Sequence, residues 1–506
     1  MNNPMKAAAI ALLFSTVCST TTLAKECVRI IGTESGLPNI GFDPAFQPTD
    51  DDAYGIYAVF NKLVDLDPKE LAPIPELADS WTVSADGKTW TFKLHDGVKF
   101  SDGRAFGAKD VVYSFRRLID PQIGSPAAGP LNFLKAENII AVDDLTVEFK
   151  TEQPIAELPT FLGFKHGMIV PDGATIEELK THPIGTGPFT VESFQPNESR
   201  RVLRKNPNYW KAGLPKADCL EIQVILEEVT RTAAIQSGQA DLLIATGASS
   251  ASILKSDPNV QLLAGPAGSY YTISIQSDVK PFDDVRVRRA FKAAIDRQAI
   301  VDTAMLGFAI AGNDNPIPTN WSSAYRNDVK PYDVELAKKL LTEAGYPNGI
   351  DIELNTGDVA PSMLNFAQAV QQQAAPAGIR INLVNNPGDT YWDTIWMKRP
   401  VFNSTWTIRP AGEAFSYIFA STAAYNEGNW KNADFDKLLA DANVELDKAK
   451  REGIYKKAQE MVSEDGSVII AFFYQPINAI RAACHGFTAH IQQNNLNYEE
   501  LDCDDR

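Results

Sequence analysis

Hydrophobic positions change their period several times along this chain, and each change predicts an element. Lys6 precedes the apolar run 7–14 and the small-x-small triplet Thr22-Leu23-Ala24. That pattern predicts an export leader over 1–24, cleaved to leave Lys25 first, with Cys18 inside it and not a lipid anchor. The run is too short to span a bilayer, and no other stretch approaches the about 18 uninterrupted apolar residues of a membrane helix. Val28-Arg29-Ile30-Ile31 predicts a strand, and the acidic triplet Asp50-Asp51-Asp52 predicts a solvated helix start. Trp81 and Val83 alternate, Asp86-Gly87 supplies a turn, and Trp90, Phe92 and Leu94 alternate again, which predicts an antiparallel hairpin. A turn at Asp102-Gly103, a helical pattern over 108–118 and a strand over 145–150 complete a mixed α+β unit.

From Asp283 the period becomes helical. Val287, Phe291, Ile295 and Ala299 recur every fourth residue, with Asp283 placed to cap the first turn. Asp333 is placed to cap another helix, with Leu336 and Leu340 inward, Gly345 as its stop and Pro347 just beyond. Ile350, Ile352 and Leu354 then alternate, 361–377 is helical, and Ile379, Ile381 and Leu383 alternate again. Strand, helix and strand in that order predict a right-handed crossover and a mostly parallel sheet. No fixed-period repeat or low-complexity linker is present, so boundaries between units are expected at strand crossings.

The 506 residues suffice for two large lobes or three domain-sized units. Lys and Arg total 47 against 64 Asp and Glu, a net charge of −17 with no concentrated basic patch, which argues against nucleic acid and anionic lipid as partners. Beyond the leader stand Cys27, Cys219, Cys484 and Cys503, an even number suited to two disulfides in an oxidising compartment. Three pairings are open. Cys27 with Cys219 and Cys484 with Cys503 are expected, Cys27 with Cys484 being the competitor.

Catalytic and metal motifs are absent: the chain contains no Gly-x-Gly-x-x-Gly, no phosphate loop, no His-Glu-x-x-His and no Gly-x-Ser-x-Gly. Ser252-x-x-Lys255 lacks its companion Ser-Asp-Asn and Lys-Thr-Gly motifs, and the five histidines, His95, His166, His182, His485 and His490, read as solvated loop residues. No metal, cofactor or enzymatic turnover is therefore expected.

Several strings occur in order: Leu77-Ala78-Asp79-Ser80-Trp81, Gly87-Lys88-Thr89-Trp90-Thr91-Phe92-Lys93-Leu94, Asp96-Gly97-Val98-Lys99-Phe100-Ser101-Asp102-Gly103 and Ala108-Lys109-Asp110-Val111. Pro183-Ile184-Gly185-Thr186-Gly187-Pro188-Phe189, Asn206-Pro207-Asn208-Tyr209-Trp210, Pro281-Phe282-Asp283-Asp284-Val285-Arg286-Val287-Arg288 and Leu340-Leu341-Thr342-Glu343-Ala344-Gly345-Tyr346 follow. Together they resemble the extracellular solute-binding protein family 5, the dipeptide, oligopeptide, nickel and opine receptors of ABC importers. Most of these residues read as structural. Gly185 and Gly187 are expected to take backbone angles closed to other residues, Trp81, Trp90 and Phe92 to pack a core, and Arg286, Arg288 and Arg289 to lie on a helix surface.

The resemblance implies an α/β, two-lobed binding-protein fold with mixed sheets, two crossing hinge strands and an extra α+β domain inserted in the first lobe. Lobe one would comprise 25–54, 182–264 and 478–506, the insert 55–181, and lobe two 265–477. It further implies a periplasmic monomer that captures a small molecule in the interlobe cleft and delivers it to a cognate ABC permease and its ATPase subunits. In the family's peptide receptors an Asp three residues after a strand-ending Trp pairs with the ligand's amino terminus. Here Trp406 is followed by Arg409, with Glu413 beyond. A guanidinium repels ammonium and grips a carboxylate or phosphate, so an anionic solute such as an opine or a sugar acid is favoured over ordinary peptides. Further pocket candidates are Tyr54 and the stretch 47–50, which contains Thr49 and Asp50, together with Tyr391, Trp392, Trp430, Tyr270 and Tyr474. A di- or oligopeptide receptor and a chemosensory or chaperone-like protein of the same fold are the alternatives, and a secreted hydrolase is disfavoured.

Overall fold

The computed structural model describes residues 26–33, 41–46, 50–195, 200–357, 359–492 and 495–505. The leader expected over 1–24, Cys18, and residues 47–49 lie outside the described residues. No helix among the described residues is long and apolar enough to cross a membrane.

Val28–Gly32 lies in the middle of a seven-stranded sheet ordered Val260–Ala264, Ile477–Arg481, Leu242–Leu243, Val28–Gly32, Cys219–Val224, Arg200–Lys205, Phe189–Gln195. The middle strand is parallel to both neighbours, and the outer pairs are antiparallel. Its apolar run suits a strand covered on both faces, and Val28, Ile30 and Ile31 are all buried. A second sheet has five strands, ordered Ile379–Asn386, Ile350–Gly357, Val401–Trp406, Tyr270–Ile275, Val468–Ile469. A further α+β unit has a four-stranded antiparallel sheet that runs Ala78–Val83, Thr89–Leu94, Thr146–Lys150, Ile139–Asp143. The helix Ala108–Ile119 covers it, with Phe115 and Phe92 edge-on to Phe149 at ring separations of 5.2 and 5.5 Å.

The chain passes between the two large sheets twice, and the two passages run side by side. Gly265 N donates to Pro476 O at 2.9 Å, Gly268 N to Tyr474 O at 3.1 Å and Tyr474 N to Ser269 O at 2.8 Å. This antiparallel pair feeds Tyr270–Ile275 into the second sheet and Ile477–Arg481 back into the first.

Several sequence expectations are corrected. The second sheet is mixed and not mostly parallel: Ile350–Gly357 is parallel to its two neighbours, but Tyr270–Ile275 is antiparallel to both of its own. The strand-helix-strand period describes one half of the sheet, and the strand arriving from the other lobe supplies the rest. The helix expected to continue from Asp283 to Ala299 is two helices, Val285–Ala293 and Arg297–Thr303. Their caps are Asp284, accepting from Arg286 N, and Asp296, accepting from Ala299 N; a carboxylate that satisfies the next turn's amides restarts the helix in a new direction. In Val334–Glu343, capped by Asp333 as expected, the buried positions are Ala337 and Leu341, while Leu336 is 42% exposed. Gly185 and Gly187 are required by close approach and not by backbone angle, because a Cβ on Gly185 would lie 2.0 Å from Val59 O. Arg288 is buried, donating to Phe282 O and Asp465, and His166 and His490 are buried as well.

Cys27 is bonded to Cys219 and Cys484 to Cys503. The first bond stands one residue before the paired register Val28 with Leu220, and so ties the first strand of the first lobe to a partner 192 residues away. Closing so long a loop restricts the unfolded chain. The Cys27→Ser/Cys219→Ser double variant should therefore lose about 2–5 kcal/mol of stability, read from denaturant midpoints, whereas unchanged midpoints would assign the pinning to the strand register alone.

Candidate functional site

A cavity of about 560 Å³ opens on the α+β unit beside Arg116 and Arg117, but those guanidinium groups are bound within the chain, Arg117 to Asp43 and Arg116 to Ala136 O and Ile139 O. A cavity of about 530 Å³ lies instead between the lobes. The first lobe contributes Thr33, Glu228 and Arg231; the second contributes Tyr271, Trp392 and Thr405; Tyr474 reaches it from the crossing pair. Strand pairing explains the second wall. Tyr271 lies opposite Thr405 and both face the cavity, so their neighbours Tyr270 and Trp406, also opposite each other, face the far side of the ribbon. The Tyr271 hydroxyl donates to Pro361 O at 2.5 Å, and its ring stands 5.1 Å from that of Tyr474.

Glu228 opens the helix Glu228–Gln236. Its carboxylate lies against Gly247, where a Cβ would come within 2.4 Å of Oε1. That oxygen is buried and has no hydrogen-bond partner among the described residues. Arg231, one turn later, is 3% exposed and uses Nη1 on Ile225 O at 2.8 Å and Leu226 O at 2.6 Å.

Arg409 stands at a junction of three units. Following the strand Val401–Trp406, Ile408 packs with Leu66, Leu71 and Ile491, and Gln492 Nε2 donates to Ile408 O at 2.8 Å. The Arg409 guanidinium lies 5.4 Å from the Trp406 ring and 4.9 Å from the Tyr417 ring. Nε is 3.0 Å from Glu413 Oε1 and Nη1 donates to Thr407 O at 3.2 Å, while Nη2 has no hydrogen-bond partner among the described residues. Burial raises the Glu413 pKa, and Arg409 opposes that rise. Beneath this cage the Glu427 carboxylate accepts from Ser274 Oγ at 2.5 Å and Trp396 Nε1 at 2.6 Å. Trp396 stacks on Tyr425, whose ring lies 4.6 Å from Tyr417, so Glu427 holds the aromatic support of Arg409 in place.

The sequence candidates thus fall into separate places. Arg409, Trp406 and Glu413 form one cluster; Trp392 and Tyr474 line the interlobe cavity. Tyr54 is 1% exposed, with its hydroxyl against the backbone of Thr33, and so supports the cavity wall from behind. Tyr270, Tyr391 and Trp430 offer no face to a ligand. Tyr270 packs on Phe473, the Tyr391 hydroxyl donates to Asn403 O at 2.9 Å, and Trp430 Nε1 donates to Asp465 at 3.0 Å. Thr49 lies outside the described residues, and Asp50 begins the helix Asp50–Val59. Glu228, Arg231, Tyr271, Thr405 and Tyr417 escaped sequence reading, since none stands in a motif. The alternation through Tyr270-Tyr271 was the one available signal.

Residues 72–427 match the family model described as bacterial extracellular solute-binding proteins, family 5 Middle. The chain belongs to this family. This family 5 protein is 30% identical over 445 residues to the glutathione-binding protein GsiB of Pectobacterium atrosepticum, covering 83% of this chain and 84% of that one. It is 30% identical over 467 residues to heme-binding protein A of Haemophilus influenzae, covering 84% and 83%. Among solved structures it resembles DppA of Helicobacter pylori in complex with the peptide STSA, with a TM-score of 0.82, 24% identity and coverage of 95% and 98%. AgaA in complex with agropinic acid, from A. tumefaciens R10, gives 0.81, 25%, 95% and 99%. The family consists of periplasmic binding proteins that take up small ligands for an ABC permease and its ATPase, and this member has their two-lobed fold.

Burial and the neighbouring charge of Lys165 depress the His166 pKa to about 3, with Arg409 adding to the effect, although Nδ1 is held at 2.9 Å from Pro44 O. Burial likewise depresses His490 to about 4. Between pH 6.5 and those values the unfolded chain binds protons that the folded family 5 protein refuses, so acidification destabilises it. Each histidine should contribute a slope of about 1.4 kcal/mol per pH unit, and His166→Gln should flatten the fall in melting temperature between pH 6.5 and 4. Parallel profiles for variant and wild type would place the acid sensitivity elsewhere.

Proposed function

We propose that this chain captures an anionic organic solute, such as an opine or a sugar-acid conjugate, in its interlobe cleft for import, and that Arg409 holds the anionic group. The leader over 1–24 directs it to the periplasm, where it works as a monomer with its permease. The carrying observation is the state of Arg409. Its guanidinium is braced by two rings at the junction of the units, and Nη2 has no partner among the described residues. A braced guanidinium with a free edge suits a planar anion, because its geometry is fixed before binding. Glu413, with Oε1 3.0 Å from Nε, balances the guanidinium charge. The agropinic acid bound by the related AgaA, and glutathione bound by GsiB, are solutes of the expected kind.

Calorimetric titration with agropinic acid, glutathione and the solute retained through purification tests this reading. Arg409→Ala should weaken binding roughly 30-fold or more, the cost of removing one partner of a desolvated charge pair. Glu413→Gln should leave affinity for an anion unchanged or higher. Unaltered affinity in Arg409→Ala, or a loss in Glu413→Gln with a cationic retained solute, would return the anchor to amine recognition. Binding should also compact the molecule in small-angle scattering, and saturation at 100 times Kd should add about 2.7 kcal/mol to unfolding.

A further inference from the structure

We propose that Glu157, in the α+β unit, is a positioning residue for Arg409 of the second lobe and acts through Tyr455, a role that rests on Arg409 being the anion anchor. A carboxylate from one unit thus completes the brace of a guanidinium in another.

Glu157 belongs to the α+β unit, since its neighbours Ile155, Leu158 and Phe161 pack with Trp90, Phe92 and Phe149 in one core. Its carboxylate engages the second lobe. Oε2 accepts from the Tyr455 hydroxyl at 2.7 Å, and Oε1 lies 3.4 Å from Arg451 Nε. One residue earlier, Ala156 N donates to Asn443 O at 2.9 Å. Tyr455 is 4% exposed and the Arg451 side chain 12%. A hydrogen bond to a carboxylate is stronger than a neutral one, and more so where little water reaches it.

Tyr455 lies on the helix Lys448–Asp465 and touches the anchor segment twice. Its hydroxyl and Glu157 Oε2 both crowd Gly412, where a Cβ would lie 2.6 Å from the carboxylate oxygen and nearer still to the hydroxyl. Its ring stands 6.1 Å from that of Phe415. Gly412 and Phe415 flank Glu413 on one short helical stretch, Ala411–Ala414 continuing into Phe415–Phe419. That stretch carries two of the side chains that brace Arg409: Glu413, whose Oε1 is 3.0 Å from Nε, and Tyr417, whose ring is 4.9 Å from the guanidinium. Displacing Tyr455 therefore displaces the brace. Among the described residues, none between positions 34 and 225 lines the interlobe cavity, so the Glu157 contact gives the α+β unit a route to the solute anchor.

Amide hydrogen exchange of the unliganded protein reads the brace directly, because Ala414 N donates to Pro410 O at 2.9 Å within it. Glu157→Ala and Tyr455→Phe should each speed exchange over 409–419 about tenfold. Glu157→Gln, whose amide oxygen still accepts from the Tyr455 hydroxyl, should exchange as wild type does. Gly412→Ala should reproduce the loss: the position is helical, so its methyl group acts by displacing the hydroxyl and not by backbone strain. Calorimetric titration with agropinic acid then ties the brace to the anchor. Affinity should fall about tenfold in Glu157→Ala and return in Glu157→Gln. Adding Glu157→Ala to Arg409→Ala should cost nothing further, a non-additivity that a role in overall stability alone would not produce. The exchange arm uses no ligand, so Arg409→Ala binding agropinic acid as wild type does would sink the anchor reading while leaving the bracing by Glu157 to stand on exchange. Unchanged exchange in Glu157→Ala, exchange in Glu157→Gln as fast as in Glu157→Ala, or additive losses of affinity would each overturn the proposal.

Discussion

The paired crossing of the chain between its lobes is the constraint on which the site depends. Three backbone hydrogen bonds join 265–269 to 474–476 and hold two strands of different sheets in one register. Because they are backbone bonds near small residues, they fix alignment without filling the space beside them: Gly265 packs on Pro476, and Gly268 on Ile491 and Ile408. Tyr474 then stands next to Tyr271, and both face the cavity. The two short antiparallel segments thus fix which residues are neighbours where the lobes join.

Charge inside the molecule is mostly spent on its own chain. Arg297 meets Asp314 with both side chains fully buried, Arg117 meets Asp43, and Lys292 donates to three carbonyls, at Val462, Ser463 and Gly466. Such groups hold elements together, although Arg297 Nε has no hydrogen-bond partner among the described residues. Glu228 Oε1 and Arg409 Nη2 likewise have no hydrogen-bond partner among the described residues.

The site was legible in part. Arg409 was visible because it follows Trp406 at a spacing where an acid stands in the peptide receptors that the sequence resembles. Its braced state was not visible, because Tyr417 and Tyr425 come together through the turn of helix after residue 410 and through packing on Trp396. Aromatic type alone misled at Tyr270, Tyr391 and Trp430: the residues that suit a ligand platform also suit a core, and each of these hydroxyl, ring or indole groups is satisfied inside the second lobe. Glu228 had no signal, since an acid at the first turn of a helix is ordinary until its oxygen is found buried.

Periodicity and caps are local, and the sequence by itself determined what local rules govern: the hairpin around Asp86-Gly87, the helix capped by Asp333, the strands on either side of 361–377, and membership in a binding-protein family. Even there, the phase of a helix and its breaks answered to packing, as Ala337 and the second cap Asp296 show. Tertiary structure alone decided the mixed order of the second sheet, the face of the ribbon on which each tyrosine lies, and the meeting of Glu228, Tyr271 and Tyr474 around one cavity. Those residues are up to 246 positions apart, from Glu228 to Tyr474. No short-range pattern encodes their proximity, because it is set by how two lobes built from interleaved segments are joined at a single crossing.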